Sequence, residues 1–357
     1  MSDLASPGKA PKRPAKAAKA AEAPPPAVRP RYLAAVFGSA ACALMAFYAL
    51  IFSLDAAGHL PPPAFSNSIC VDEKLAFHRE NPIESPNLLV VGSSVAWRHF
   101  DGAALVREAP EARPLNAAFC GLSLNQTQFV ADWFLDRTPS VRDVLLIVSP
   151  QDFENCTTTR TALFNEEDVE RYVAGGASPW PYYMRYFDPF SLGRNATQIA
   201  AKRSGENWLD ALVFDPYGGG PLDTEKNRET LLYGMVKRMD SNCFGALGAL
   251  SARLQHEGRR LLVASTPLNP EWKASGDPDG RTVEEFNRRI RATLAGNPLA
   301  EFWDGDAARV VDSDAYVDAI HLRWSAAKDY TVALGKALHP GMNEAPRALV
   351  SAGPTKL

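Results

Sequence analysis

The sequence has no C-x-x-C pair and no Cys/His cluster with zinc-type spacing, so no motif calls for a metal or any other cofactor. Net charge is only −3 over 357 residues, without the basic excess of a nucleic-acid binder. Histidine is scarce, with six in the chain, which leaves few candidates for a general base. Charge is missing altogether from one stretch, residues 33–54 (LAAVFGSAACALMAFYALIFSL).

That stretch organises the first quarter of the chain. About 20 apolar residues cross a bilayer core, so it reads as one membrane-spanning helix. A cleavable signal peptide is the competing reading, but the apolar run is too long and no convincing small-x-small cleavage site follows. A core helix is the third. Lys9, Lys12, Arg13, Lys16, Lys19, Arg29 and Arg31 precede the span and Asp55 follows it. This asymmetry places the N-terminus in the cytoplasm and everything from residue 55 outside it, as expected of a single-pass anchor in the inner (plasma) membrane. Residues 1–32 are rich in Ala, Pro and Lys without apolar periodicity, and read as a disordered basic tail. Residues 55–86, with Pro61-Pro62-Pro63, read as a stiff stalk. Cys70, Cys120, Cys156 and Cys243 lie beyond the span, and their even number permits disulfides, with three pairings open.

From residue 87 to 340 apolar runs alternate with helix-compatible segments. Strands are expected over 87–92, 113–119, 143–148, 261–265 and 301–303, and helices over 95–107, 124–135, 243–256, 283–294 and 325–338. This alternation predicts an α/β fold, a doubly wound and mainly parallel sheet of about five strands with helices on both faces. Residues 157–240 interrupt the rhythm as a long insertion, and 341–357 read as a disordered tail. In such sheets ligands bind beyond the carboxyl ends of the strands. Gly92-Ser93-Ser94, Cys120-Gly121, Gln151-Asp152 and Thr266-Pro267 all fall at those ends.

A serine hydroxyl is a poor nucleophile without a base in reach and a group to orient that base. His59 and His78 fall in the expected stalk, His339 near the tail, and His256 at a helix end. His99 follows Ser94 by five residues and is expected to point away from it. His321 differs, because it closes Asp318-Ala319-Ile320-His321 after the last strand. That separation lets the carboxylate reach Nδ1 and leaves Nε2 to accept a proton. Ser94, His321 and Asp318 are therefore the candidate nucleophile, base and orienter. Ser94 N–H, Gly121 N–H and the Gln151 amide are the candidate oxyanion donors. In the insertion, Trp180, Tyr183 and Tyr186 stand in PWPYYMRYFDPF, where aromatic faces suit sugar stacking and equally suit a local core.

These blocks resemble the SGNH (GDSL-like) hydrolase superfamily over residues ~87–335: Gly-Asp-Ser after strand one, Gly after strand two, Gly-x-Asn-Asp after strand three and Asp-x-x-His near the C-terminus. Here they read Gly92-Ser93-Ser94, Gly121, Ser149-Pro150-Gln151-Asp152 and Asp318-Ala319-Ile320-His321. Ser93 replaces the family Asp, and Gln151 replaces the oxyanion Asn. Both departures resemble the membrane-anchored branch that transfers acyl groups to cell-envelope polymers, which includes teichoic-acid D-alanylation and exopolysaccharide O-acetylation proteins. The resemblance implies a serine-dependent O-acyltransferase, acetyl being the expected group. It would act on a cell-envelope or exopolysaccharide glycan through an acyl-serine, with a multispanning membrane O-acyltransferase as donor. An anchored carbohydrate esterase or deacetylase, and a silent scaffold binding glycan or a partner, are the other two readings.

Overall fold

The computed structural model describes residues 29–66, 68–206, 210–224, 226, 236 and 238–341. The greater part of both expected tails, residues 1–28 and 342–357, lies outside the described residues. By contacts the chain divides into Met1–Ser53 and Leu54–Leu357.

In the first unit α1 (Pro30–Ala56) begins and runs for 27 residues. At 1.5 Å per residue it is about 40 Å long, and it is apolar enough to cross a membrane.

The second unit is built on a five-stranded, all-parallel sheet. Its strands are β1 (Leu88–Gly92), β2 (Pro114–Asn116), β3 (Asp143–Val148), β4 (Arg260–Ser265) and β5 (Ala300–Trp303), in the spatial order β2-β1-β3-β4-β5. Successive side chains along a strand point to opposite faces, so each strand supplies two cores. Leu89, Val91, Val144, Leu146, Leu261 and Val263 face one layer of helices: α2 (Ile69–Glu80), α5 (Leu124–Leu135), α9 (Ser241–His256) and α11 (Arg281–Leu294). Leu88, Val90, Leu145, Ile147 and Leu262 face the other: α3 (Ser94–His99), α4 (Gly102–Glu108) and α12 (Trp324–Leu338). Burial of β1 and β3 at every position explains their unbroken apolar runs. The remaining helices are α6 (Glu166–Val173), α7 (Trp180–Arg185) and α8 (Pro189–Ser204) in the insertion, and α10 (Pro270–Gly276) after β4.

Three local features differ from the sequence reading. The segment expected as a stalk contains α2, whose Val71 and Leu75 are wholly buried in the core. Burial of each contributes roughly 1.5–3 kcal/mol, which fixes the segment to the domain. The single helix expected over 95–107 is two, because Asp101 takes extended backbone and its carboxylate accepts the Ala104 N–H at 2.9 Å, starting α4 afresh. The second strand ends at Asn116, whose side-chain carbonyl accepts the Ala118 N–H at 3.1 Å, while the Ala117 and Phe119 N–H groups still donate to the Val90 and Gly92 carbonyls of β1. Ser123 caps α5 in a capping box with Gln126, as its position before an apolar stripe predicts.

Candidate active site

β1 and β3 are neighbours where the strand order reverses, and in open parallel sheets the ligand crevice forms at that switch point. β1 stops there at Gly92. Its φ is +144°, and a Cβ would stand 2.4 Å from the Ile147 carbonyl oxygen and 2.6 Å from the Ala96 Cβ, so only glycine makes this turn. Ser93 follows in extended backbone and its carbonyl accepts the Trp97 N–H. Ser94 is then the first residue of α3, half-buried, with its hydroxyl clear of the sheet.

The candidate base, His321, arrives from the other end of the chain. Asp318 Oδ1 accepts the backbone N–H of Ile320 at 3.0 Å and of His321 at 2.9 Å, an Asx turn that folds the carboxylate back over the peptide. The same carboxylate lies 2.9 Å from His321 Nδ1, and His321 Nε2 lies 2.8 Å from Ser94 Oγ. With Nδ1–H donated to Asp318, Nε2 is the acceptor of the serine proton. Burial works to raise the Asp318 pKa, but the His321 hydrogen bond and charge and the two backbone N–H groups outweigh it, holding the carboxyl at about 2. A carboxylate that stays charged against an imidazole can stabilise the imidazolium formed when Ser94 loses its proton.

Ser94 and His321 open into a cavity of about 550 Å³, whose wall also includes Gly121, Trp97, Gln126 and Arg160. Gly121 has φ +69°, and no atom lies within 4 Å of where its Cβ would be. Among the described residues no acceptor takes up the Ser94 or the Gly121 backbone N–H. Gln151 follows β3 in a 3₁₀ turn over Pro150–Phe153. Both polar atoms of its amide are closed to solvent and without a partner among the described residues, and it does not line the cavity. So Ser94, His321, Asp318 and Gly121 come together, and Gln151 stands apart with an unused amide.

Trp180, Tyr183 and Tyr186 are not brought to Ser94. Phe65 gathers the rings of Tyr172, Tyr182 and Tyr186 at 4.8–5.2 Å, and Tyr186 donates its hydroxyl proton to Asp168. Trp180 and Tyr183 line a second cavity, of about 560 Å³. A run of aromatics that close together satisfies itself first, as local core.

Three supports of the site were not legible. His99 is fully buried behind the triad: its Nε2 accepts the Leu322 N–H at 2.9 Å, and its Nδ1–H donates to Thr266 Oγ1 at 2.6 Å. Burial, with the nearby His321 charge, lowers its pKa far below the ordinary imidazole value and keeps it neutral. Its place at the end of the serine helix was the only available signal. Cys120, beside Gly121, is bridged to Cys70 of α2, and Cys156 is bridged to Cys243. The even cysteine count permitted both bridges but did not pair them. Lys74, one turn after Cys70, is fully buried and donates to Asn116 Oδ1 at 3.0 Å and to the Ala118 carbonyl. Helix α2 thus grips the end of β2 twice, and with it the loop that carries Gly121.

No protein-family model matches the chain, and no curated protein matches it in sequence.

Proposed function

We propose that the protein is a membrane-anchored, extracytoplasmic serine O-acyltransferase of SGNH type, moving an acyl group, acetyl by expectation, onto a cell-envelope or exopolysaccharide glycan. The observation that carries this reading is the hydrogen-bonded line Ser94 Oγ, His321 Nε2, His321 Nδ1, Asp318 at 2.8 and 2.9 Å, opening on a cavity. Ser94 Oγ attacks the acyl carbonyl of the donor as its proton passes to His321 Nε2. Ser94 N–H and Gly121 N–H take the oxyanion, with the Gln151 amide as the third candidate donor. Collapse of the tetrahedral intermediate breaks the bond to the donor oxygen, which leaves with the proton from His321. A sugar hydroxyl then gives its proton to His321 and attacks the acyl-serine, and Ser94 recovers its proton as the new ester forms. Water in place of the sugar makes the same residues an esterase.

Two features favour transfer over free ester hydrolysis. An apolar helix long enough to span a bilayer precedes the domain, which suits a polymer or a membrane-bound donor. The Ser93 and Gln151 departures resemble the envelope-modifying branch. The test incubates the full chain with an acetyl-ester donor and a polysaccharide acceptor, beside Ser94→Ala. Acetylated glycan that depends on Ser94 is the expected product. Acetate without acetylated glycan makes the protein an esterase, and no acyl-Ser94 makes it a scaffold.

A further inference from the structure

Among the described residues, large apolar side chains are exposed in two places. One is α1, from Tyr32 to Phe52; the other is Met184, Phe187 and Phe190, which are 46%, 45% and 88% exposed. An almost fully exposed phenylalanine with two apolar neighbours marks a surface that meets something other than water. Where this patch sits in the fold identifies its partner.

The residues that carry it, the end of α7 and the start of α8, are tied to the chain just beyond the apolar helix. The chain turns at Gly58, with φ +72°, and the His59 N–H donates back to the Leu54 carbonyl at 2.8 Å, closing the last turn of α1. The His59 ring donates from Nδ1 to the Ala196 carbonyl of α8 at 3.0 Å. Tyr183 of α7 donates its hydroxyl proton to the Pro61 carbonyl at 2.8 Å. Asp55, Leu60 and Pro62 share the walls of the second cavity with Trp180 and Tyr183. Leu54 is the last residue of the uncharged run and Asp55 the first charge after it, so the bilayer surface falls at this level. Two hydrogen bonds therefore tie α7 and α8 to the residues that directly follow α1.

We infer that α7 and the start of α8 form an interfacial foot, with Met184, Phe187 and Phe190 seated in the outer boundary of the bilayer that α1 crosses. Trp180 and Tyr183 stand at headgroup level, where amphipathic rings concentrate. The exposed Arg194 flanks the apolar residues and faces lipid phosphates, while Arg185, its side chain 58% exposed, is paired with Asp168 at 3.0 Å. The foot rests on the reading of α1 as an anchor. It gives the aromatic insertion a role other than sugar binding.

The test uses the full chain in phosphatidylethanolamine–phosphatidylglycerol nanodiscs, with a spin label read for collisions with oxygen, which enters lipid, and with a nickel chelate, which stays in water. The native free Cys42 in α1 reports the anchor; Phe190→Cys and Met184→Cys, each with Cys42→Ser, report the foot; Arg281→Cys, also with Cys42→Ser, is the aqueous reference. We expect oxygen collisions to dominate at 42, 184 and 190, and the order to reverse at 281. Dominant nickel collisions at 184 and 190, with position 42 still in lipid, overturn the foot and leave the anchor standing. Shielding of both positions from both reagents overturns it in favour of contact between copies. Dominant nickel collisions at 42 overturn the anchor and the foot together.

Discussion

His99 Nε2 accepts the Leu322 backbone N–H at 2.9 Å, so the helix that begins with Ser94, the candidate nucleophile, ends by holding the turn that carries His321, the candidate base. The two imidazole rings stand 6.1 Å apart, edge to face. Ser94 and His321 are 227 positions apart in the chain, yet one neutral histidine fixes the spacing of the segments that present them. His99 touches no substrate space and is a positioning residue.

Replacing His99 by Ala leaves the buried Leu322 N–H unpaired, at a cost of about 1–3 kcal/mol in stability. We expect the Ser94 acylation rate to fall by roughly 10–100-fold with little change in KM for a p-nitrophenyl ester, because the base is displaced and the cavity is not. A KM that rises with kcat unchanged contradicts the positioning role.

The two disulfides are predicted to separate by function. Each closes a long loop, of 50 and 87 residues, and each contributes about 4 kcal/mol in the chain-entropy account. Removing Cys156–Cys243 as a double Ala variant lowers the unfolding midpoint and leaves acylation of the folded protein within about threefold of native. Removing Cys70–Cys120 lowers both, since it also frees the loop that presents the Gly121 N–H. Equal rates in the two folded variants would falsify the loop-pinning role.

Asp152 gives stability a defined pH dependence. Burial pushes its carboxyl up to about 6, against hydrogen bonds from the Ser149 N–H and from the Ser93 and Ser149 hydroxyls that favour the charged form. Through that window the folded state holds a proton that the unfolded chain has released, so stability falls as pH rises from about 4 to 6. Full ionisation costs up to about 3 kcal/mol. Asp318, held at about 2, has the opposite sign: its stabilisation is complete above the ordinary carboxylate pKa and is lost as pH falls toward 2. Unfolding midpoints of Asp152→Asn should decline less steeply between about pH 4 and 6 than native midpoints do. The remaining slope comes from the buried carboxyls of Asp72, Glu73, Asp132 and Asp215, which burial also raises. A parallel decline in both proteins removes Asp152 as the cause.

Oxyanion donors act on rate and leave ground-state contacts alone. Gly121→Ala places a side chain at φ +69° and turns the N–H, and Gln151→Ala removes the amide that has no partner among the described residues. Losing one donor typically slows acyl transfer by about 10²–10³-fold. We expect that for Gly121→Ala, and a slowing of about tenfold or more for Gln151→Ala. A Gln151→Ala variant with the native rate takes that amide out of the oxyanion set.

The parallel sheet was legible because β1, β3 and β4 are buried on both faces and write themselves as apolar runs. Ser94, Asp318 and His321 were legible because chemistry confines them to strand ends and one tight turn. Helix α2 was not. Its charged residues Asp72, Glu73 and Lys74 are all buried, and after a triple proline they read as solvated stalk. Their partners, Ser66, Arg203 and Asn116, lie up to 130 residues away, and no local pattern announces a long-range pair. The aromatic insertion was legible as special but not as what: composition cannot distinguish rings that stack on sugar from rings that pack on Phe65 or face a bilayer.

Ser94 is expected to be an activated nucleophile, and a serine-directed fluorophosphonate tests this without knowledge of donor or acceptor. One covalent adduct is expected on the native chain, mapped by mass spectrometry to the peptide containing Ser94. The adduct should be absent from Ser94→Ala and formed at least about 10³-fold more slowly in His321→Ala. A folded native protein that forms no adduct, or an adduct that persists in Ser94→Ala, contradicts it.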